Sequence, residues 1–227
     1  MPFWFLEACR PGVRGLARAL FGICFVGVEN VPATGGLVLV PNHVSFMDPV
    51  LVTIPVHRPL HYMALEPFFR VRGLGPLMRW CRAFPVRDEE TDRGAVRTAL
   101  RLLAAGEPLV VFPEGGRSTD GALQPFRPGA FRLALVARVP VVPVTIAGAF
   151  AAWPPQRRLP RPSHVVVTYH RPLSARDLPE GAHRRLHPAL LADLVRERIA
   201  GALGATAGTG RAGPGCPPSP APRPAPS

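Results

Sequence analysis

Residues 41–48 read Pro-Asn-His-Val-Ser-Phe-Met-Asp, and they directly follow an apolar run at 37–40. The apolar run predicts a short buried strand, which ends at the proline. Ser45 and Asp48 stand three positions apart, the spacing of a capping box, so a helix with Ser45 as its N-cap is predicted. The chain should therefore pass from a strand through a short polar loop into a helix.

His43 and Asp48 are the residues of this loop that can carry chemistry. Five positions apart, they would point to different faces of one regular helix. They can meet if His43 precedes the helix and Asp48 lies in its first turn, because helical side chains lean toward the N-terminus. A histidine held by a carboxylate is a general base with a fixed tautomer. The alternative is that Asp48 only caps the helix and His43 only ends the strand.

A second loop of the same kind follows the apolar run at 109–112, where residues 113–118 read Pro-Glu-Gly-Gly-Arg-Ser. In parallel α/β sheets ligands bind beyond the carboxyl ends of strands, so both loops are expected to face one cleft. The guanidinium of Arg117 suits a phosphate, and adjacent glycines let backbone N–H groups approach an anion. The alternative for Glu114 and Arg117 is a salt-bridged turn.

The rest of the chain alternates strand and helix patterns, which predicts a single α/β domain with a mixed, mostly parallel sheet flanked by helices. Further strands are predicted at 60–64, 83–87, 139–146 and 165–169, and helices at 49–56, 66–81, 92–105, 128–138 and 186–203. The strand at 139–146 contains Pro140 and Pro143, so it should be an edge strand or carry a bulge.

The two ends of the chain have a different character. Residues 1–30 are predicted to form a membrane-interfacial helical segment, in which Arg10, Arg14 and Arg18 recur beside apolar positions. A first helix packed on the core is the alternative. The domain proper should span 31–203, and residues 204–227, rich in Gly, Ala, Pro and Ser, are expected to be a disordered tail.

Charge and composition restrict the classes of function. The formal net charge is +12, and all 27 basic residues are arginines. The lack of lysine excludes Schiff-base and P-loop lysine chemistry. An aromatic content of 7%, not interleaved with arginine, argues against a nucleic-acid partner. The cysteines form no Cys-x-x-Cys pair, and no metal site is predicted.

Four elements, taken in order, resemble the glycerophospholipid acyltransferase family of the 1-acylglycerol-3-phosphate acyltransferase type. They are Asn42-His43-x-x-x-x-Asp48, Phe84-Pro85-Val86-Arg87, Phe112-Pro113-Glu114-Gly115-Gly116-Arg117-Ser118 and Val139-Pro140-Val141-Val142-Pro143-Val144. The resemblance covers about residues 30–150 and is looser to about 200. It implies transfer of an acyl group from coenzyme A or an acyl-carrier protein to the hydroxyl of lysophosphatidate in phospholipid biosynthesis, without a cofactor.

The resemblance also implies residue roles and a location. His43 would take the hydroxyl proton, and Asp48 would hold His43. The implied substrate-binding residues are Ser45, Phe46, Arg87, Glu114, Gly115, Gly116 and Arg117. The expected partners are a lysophospholipid acceptor, an acyl thioester donor and a membrane surface. The expected location is the cytoplasmic face of the membrane, as a peripheral or monotopic protein.

Two positions depart from the family pattern, and they leave alternatives open. Gly116 stands where the family often has threonine, and Leu65 stands beside Glu66 where it commonly has lysine. The missing lysine charge leaves room for another acceptor, such as an aminolipid, a glycolipid or a sterol-like alcohol. A non-catalytic membrane-surface protein and a thioesterase using His43-activated water are further alternatives. A serine hydrolase is disfavoured because no Gly-x-Ser-x-Gly elbow is present.

Overall fold

The computed structural model describes residues 3–87, 92–178 and 187–208. Its strands are β1 Cys24–Val26, β2 Leu37–Pro41, β3 His61–Leu65, β4 Ala83–Val86, β5 Pro108–Val110, β6 Val141–Ala147 and β7 Val166–Tyr169. Its helices are α1 Phe3–Phe21, α2 Asp48–Thr53, α3 Glu66–Arg70, α4 Leu74–Trp80, α5 Arg93–Ala104, α6 Gly129–Ala137, α7 Ala149–Ala152 and α8 Pro188–Gly208. Short 3₁₀ turns lie at Val28–Asn30 and Ala175–Asp177.

One sheet of seven strands, in the order β1-β7-β6-β2-β5-β3-β4, organises the chain. All neighbouring strands pair in parallel except β6 and β7, which are antiparallel. The predicted single α/β domain with a mostly parallel sheet and flanking helices is confirmed. Because β2 and β5 are parallel neighbours, the loops that follow them leave the same edge of the sheet.

The sheet is covered by helices on both faces, which explains the continuous apolar run of β2. Leu37 and Leu39 pack into one core with α1, α2 and α7, whereas Val38 and Val40 pack into a second core with α5, α6 and α8. All four side chains are fully buried. A strand with helices on each side needs apolar residues at every position, rather than alternation.

The proline-bearing strand β6 lies inside the sheet, between β7 and β2, so of the two predicted alternatives, an edge strand or a bulge, the edge strand is wrong. The carbonyl of Pro143 accepts a hydrogen bond from the N–H of His170, just beyond the end of β7. Val141 exchanges two hydrogen bonds with Leu173. Two steps along β6 therefore oppose three steps along the neighbouring segment, and this bulge accommodates a strand residue that has no N–H to donate.

Two predicted boundaries differ from the structure. Ser45 does not cap α2, because the helix begins at Asp48 and Met47 occupies the N-cap position without a side-chain hydrogen bond. At the other end, α8 continues to Gly208, so residues 204–208 are helical and do not belong to the predicted tail. The remainder of that tail, 209–227, lies outside the described residues.

Helix α1 presents several apolar side chains to solvent, whereas Ala17, Phe21 and part of its arginine stripe face the protein. Trp4, Leu16 and Leu20 are exposed, whereas Arg10 is only 6% exposed. The guanidinium of Arg10 donates to the Glu7 carboxylate at 2.6 Å. It also donates to two carbonyl oxygens at the end of α2, those of Thr53, at 2.8 Å, and of Ile54. The predicted basic face is therefore partly buried. None of the described helices combines the length and apolar character needed to cross a bilayer.

Candidate active site

The loops after β2 and β5 meet at the carboxyl edge of the sheet, as the sequence predicts. The N–H of Ser118 donates to the carbonyl of His43 at 2.8 Å. In return, the N–H of His43 donates to the Glu114 carboxylate at 2.7 Å. The two loops therefore form one site, in which each fixes the backbone of the other.

The predicted contact between His43 and Asp48 is present. The Nδ1 atom of His43 lies 2.8 Å from Oδ2 of Asp48, the first residue of α2. The same oxygen accepts the backbone N–H groups of Val44 and Ser45, each at 2.7 Å. Asp48 is fully buried. The carboxylate thus holds both the ring and the turn that carries it.

The surroundings of the His43 ring define its chemistry. The ring stacks on Phe112 at a centroid distance of 4.0 Å and keeps 17% of its side chain exposed. An ionised carboxylate can only accept hydrogen bonds, so Nδ1 carries the proton in this contact. The basic nitrogen is then Nε2. Such an imidazole can take a proton from a hydroxyl group placed against the site.

Glu114 acts on the backbone of the site. One of its oxygens accepts from His43 N–H at 2.7 Å, and the other accepts from Gln124 N–H at 3.0 Å. The alternative of a salt bridge with Arg117 finds no support, because both carboxylate oxygens are held by backbone amides. Burial raises the pKa of Glu114 to about 7, although the two amide hydrogen bonds act in the opposite direction.

This raised pKa gives a testable pH dependence of stability. Between the ordinary pKa of 4.5 and about 7, the folded state binds more protons at Glu114 than the unfolded state does. Its contribution is complete below pH 4.5 and is lost as the pH rises through 7. Relative to Glu114→Gln, we expect the wild type to lose about 3 kcal/mol of unfolding free energy across this range, as measured by urea denaturation.

The control for this measurement is Glu197→Gln, which changes an exposed glutamate of α8. Its free energy of unfolding should follow that of the wild type at every pH. Parallel curves for Glu114→Gln and the wild type between pH 4.5 and 7.5 would contradict the assignment.

Arg117 lies beside the His43–Asp48 pair with one donor unused. Its guanidinium carbon sits 3.7 Å from the ring centroid of Phe46. Its Nη1 atom is buried and has no hydrogen-bond partner among the described residues. Burial lowers the pKa of Arg117, and the Asp48 charge opposes that change. A buried cationic donor without a partner is suited to an anionic ligand.

The two glycines of the second loop have different structural requirements. Gly115 has a φ of +74°, and a Cβ atom there would lie 2.7 Å from the Arg127 guanidinium. Gly116 is exposed and has no atoms within 4 Å of a Cβ position. The turn therefore requires glycine at 115, whereas position 116 has room for the threonine that the resembling family often carries.

Arg87 is the predicted site residue that the structure leaves away from this cluster. It follows β4, which is separated from β2 by β5 and β3. Its side chain is 62% exposed and lies 3.3 Å from Glu66. Glu66 also pairs with Arg70 at 2.9 Å. Arg87 lies at the same edge of the sheet as His43. Its described side-chain contact is with Glu66 and not with the loops that carry His43 and Arg117.

The structure gives roles to two residues to which the sequence analysis assigned none. The side-chain amide of Asn42 accepts from the N–H of Ile146 at 2.7 Å and donates to its carbonyl at 3.1 Å, which anchors the loop to β6. The carbonyl of Trp153 accepts from the hydroxyl of Ser45 at 2.8 Å, and its ring lies 5.7 Å from Phe46. The position of Asn42 beside His43 was a usable signal, whereas Trp153 is too distant in sequence to give one.

A metal site was predicted to be absent. Within 3–87, 92–178 and 187–208, no group of three or more His, Cys, Asp or Glu side chains is arranged to hold a metal ion. The expectation that the reaction needs no metal or cofactor stays a prediction.

The fold and this site define the class of protein. The sequence model of the acyltransferase family matches residues 22–147, which span both loops and the sheet from β2 to β6. The chain belongs to the acyltransferase family.

Individual relatives agree with this assignment. The chain is similar to the 1-acyl-sn-glycerol-3-phosphate acyltransferase of Bacillus subtilis, with 29% identity over 62% of this chain and 70% of that protein. A Chlamydomonas reinhardtii protein of the same description is 30% identical over 77% of this chain. The match covers only 55% of the Chlamydomonas protein. The crystal structure of PlsC from Thermotoga maritima, described as the 1-acyl-sn-glycerophosphate (LPA) acyltransferase, matches with a TM-score of 0.73. The two sequences are 25% identical, and the match covers 91% of this chain and 80% of the Thermotoga chain.

Proposed function

We propose that this protein transfers a fatty acyl group from the thioester of coenzyme A or an acyl-carrier protein to the hydroxyl of lysophosphatidate, a step of phospholipid biosynthesis. The observation that carries the proposal is the 2.8 Å contact between His43 Nδ1 and the buried Asp48 carboxylate, next to Arg117. The descriptions of the Bacillus and Thermotoga proteins support the same acceptor.

The reaction follows from the proton positions at His43. Nε2 takes the proton of the acceptor hydroxyl as its oxygen attacks the thioester carbonyl. The imidazolium that forms is stabilised by Asp48, which stays ionised. When the tetrahedral intermediate collapses, the carbon–sulfur bond breaks and the imidazolium returns the proton to the leaving sulfur. The products are a new ester and a free thiol.

Arg117 is proposed to bind the acceptor phosphate. Its buried Nη1 atom offers a hydrogen bond that no described protein group takes. The stacked ring of Phe46 holds the guanidinium in place at 3.7 Å. Ser45, whose hydroxyl donates to the Trp153 carbonyl, and Gly115, through its left-handed turn, fix the loops on either side of it.

The test measures thiol release with lysophosphatidate and with the neutral acceptor monoacylglycerol. We expect Arg117→Ala to raise KM for lysophosphatidate by about 10- to 100-fold, the value of a charge-assisted hydrogen bond, and to leave monoacylglycerol kinetics nearly unchanged. Arg132→Ala, at an exposed position of α6, is the control and should behave as the wild type. An unchanged KM in Arg117→Ala would remove this residue from the acceptor site.

A different lipid acceptor is the second candidate, and Glu66 favours it. This carboxylate lies between Arg70 and Arg87, at 2.9 Å and 3.3 Å, next to Leu65 where the resembling family commonly has lysine. Glu66 thus offsets the charge of both arginines, and without the lysine this region offers less positive charge to an acceptor phosphate. Thiol release with an aminolipid or a glycolipid exceeding that with lysophosphatidate would select this candidate. If thiol release is the same with and without an acceptor, the protein is a thioesterase. If no thiol is released under any condition, the protein is non-catalytic.

We also infer that the protein works as a peripheral or monotopic protein at the cytoplasmic face of a membrane. The acceptor is a membrane lipid, and α1 exposes Trp4 at 70% and Leu16 at 61%. Helices with such faces lie in the bilayer interface. The net charge of +12 is attracted to the anionic lipids of the cytoplasmic leaflet.

A further inference from the structure

A regular row of exposed apolar side chains runs along the short helices α3 and α4. Every third residue belongs to it, and each is between 38% and 51% exposed. The row consists of Phe68, Val71, Leu74, Leu77 and Trp80. We call it the α3–α4 stripe. The intervening Phe69 is buried, so the stripe is the face of these helices that the core does not use.

The stripe connects to the exposed face of α1. The rings of Trp80 and Phe5 lie 5.3 Å apart, and Phe5 contacts Trp4 at 5.9 Å. Two segments that are distant in sequence, each with exposed apolar side chains, therefore meet at Trp80 and Phe5. Exposed apolar side chains that cluster in this way mark interaction sites in soluble domains.

The charges around the stripe indicate what it binds. Residues 66–82 contain four arginines and one glutamate. Arg70, Arg72 and Arg79 are exposed beside the stripe. Arginines around an apolar surface, with tryptophan at its margin, are suited to the interface of an anionic bilayer. A second copy of the chain would instead bring arginines against arginines.

The position of the stripe relates it to the site. Strand β3 ends at Leu65 and α3 begins at Glu66, so the stripe starts at the carboxyl edge of the sheet. The loops with His43 and Arg117 leave the same edge. A bilayer against the stripe would therefore adjoin the edge at which a lipid acceptor has to enter.

We propose that the α3–α4 stripe is a second membrane-contact surface, joined to that of α1, which docks the catalytic edge of the sheet on an anionic lipid bilayer. It deepens the proposed membrane association. It does not depend on acyl transfer, because vesicle binding is measured without a reaction.

Flotation with vesicles of phosphatidylcholine, with and without phosphatidylglycerol, tests the proposal. Leu77→Glu and Val71→Glu should each lower partitioning to the anionic vesicles roughly tenfold or more, because each removes an apolar side chain from the contact. Both side chains are about half exposed, so the fold does not require them. Leu190→Glu, at a 40% exposed position of α8, is the matched control and should bind as the wild type.

The possible outcomes separate the explanations. Partitioning of both stripe variants equal to that of the wild type would overturn the proposal. A dimeric wild type that becomes monomeric in Leu77→Glu, with unchanged vesicle binding, would assign the stripe to a second copy and overturn it as well. Reduced vesicle binding in a protein that releases no thiol would support the stripe and reject the proposed reaction.

Discussion

Replacing His43 with alanine should lower the rate of acyl transfer by about 10²- to 10⁴-fold, the usual contribution of a positioned general base. The loss should appear in kcat, because the proton is transferred in the chemical step and the ring is not proposed to bind the phosphate. Single-turnover thiol release under saturating acceptor measures this directly.

The fold should survive this change, which keeps the result interpretable. The carboxylate of Asp48 retains the N–H groups of Val44 and Ser45 when the ring is removed. The backbone N–H of His43 still donates to Glu114. Circular dichroism and urea denaturation of His43→Ala should therefore resemble those of the wild type.

The chain offers a matched control for the histidine. His57 also pairs with a carboxylate, that of Glu7, at the same 2.8 Å, but its side chain is 65% exposed and lies away from the two loops. His57→Ala should keep wild-type activity. Equal acyl transfer by His43→Ala and the wild type would refute the assignment of the base.

Asp48→Asn is expected to give the second large loss, on the order of 10²- to 10⁴-fold in kcat, with a small change in KM. An asparagine of the same shape still offers an oxygen to the turn, but it removes the negative charge that stabilises the imidazolium. Because Asp48 is fully buried, that charge acts in a poorly screened environment. Thiol-release kinetics across pH measure the effect.

Comparison with Asp48→Ala separates charge from architecture. Alanine removes the acceptor of three hydrogen bonds, from His43 and two backbone amides, and should lower stability as well as activity. Asp193→Asn, at an exposed position of α8, is the control and should change neither. If Asp48→Asn keeps the full rate, Asp48 has only a structural role.

The local parts of the site could be predicted from the sequence. The five-residue spacing of His43 and Asp48 implies a loop–helix junction, and the contact forms as the geometry requires. The meeting of the two loops at one edge of the sheet also followed, since parallel strands place their carboxyl ends together. These inferences rest on neighbouring residues and on a general rule of sheet topology.

The errors come from partners that are distant in sequence. Ser45 was predicted to cap α2, yet its hydroxyl donates to the carbonyl of Trp153, 108 positions away. Arg10 was predicted as part of a membrane-interfacial segment, yet the last carbonyls of α2, 43 and 44 positions away, accept its hydrogen bonds in the protein interior. Pro143 left an edge strand or a bulge open, and only the structure shows that the bulge lies in the segment after β7. Spacing alone contains no information about these contacts.

The buried guanidinium of Arg10 connects the N-terminal helix to the helix that carries Asp48. It fastens α1 to the C-terminal carbonyls of α2, and α2 is a single short rod of six residues whose other end is Asp48. Such a rod is only about 9 Å long. We therefore expect a displacement of α1 to shift the Asp48 carboxylate through this short helix. A truncated form without α1 would lose the hydrogen bonds of Arg10 to α2. We expect His43 to be less well aligned in that form, even with water-soluble substrates and no membrane present.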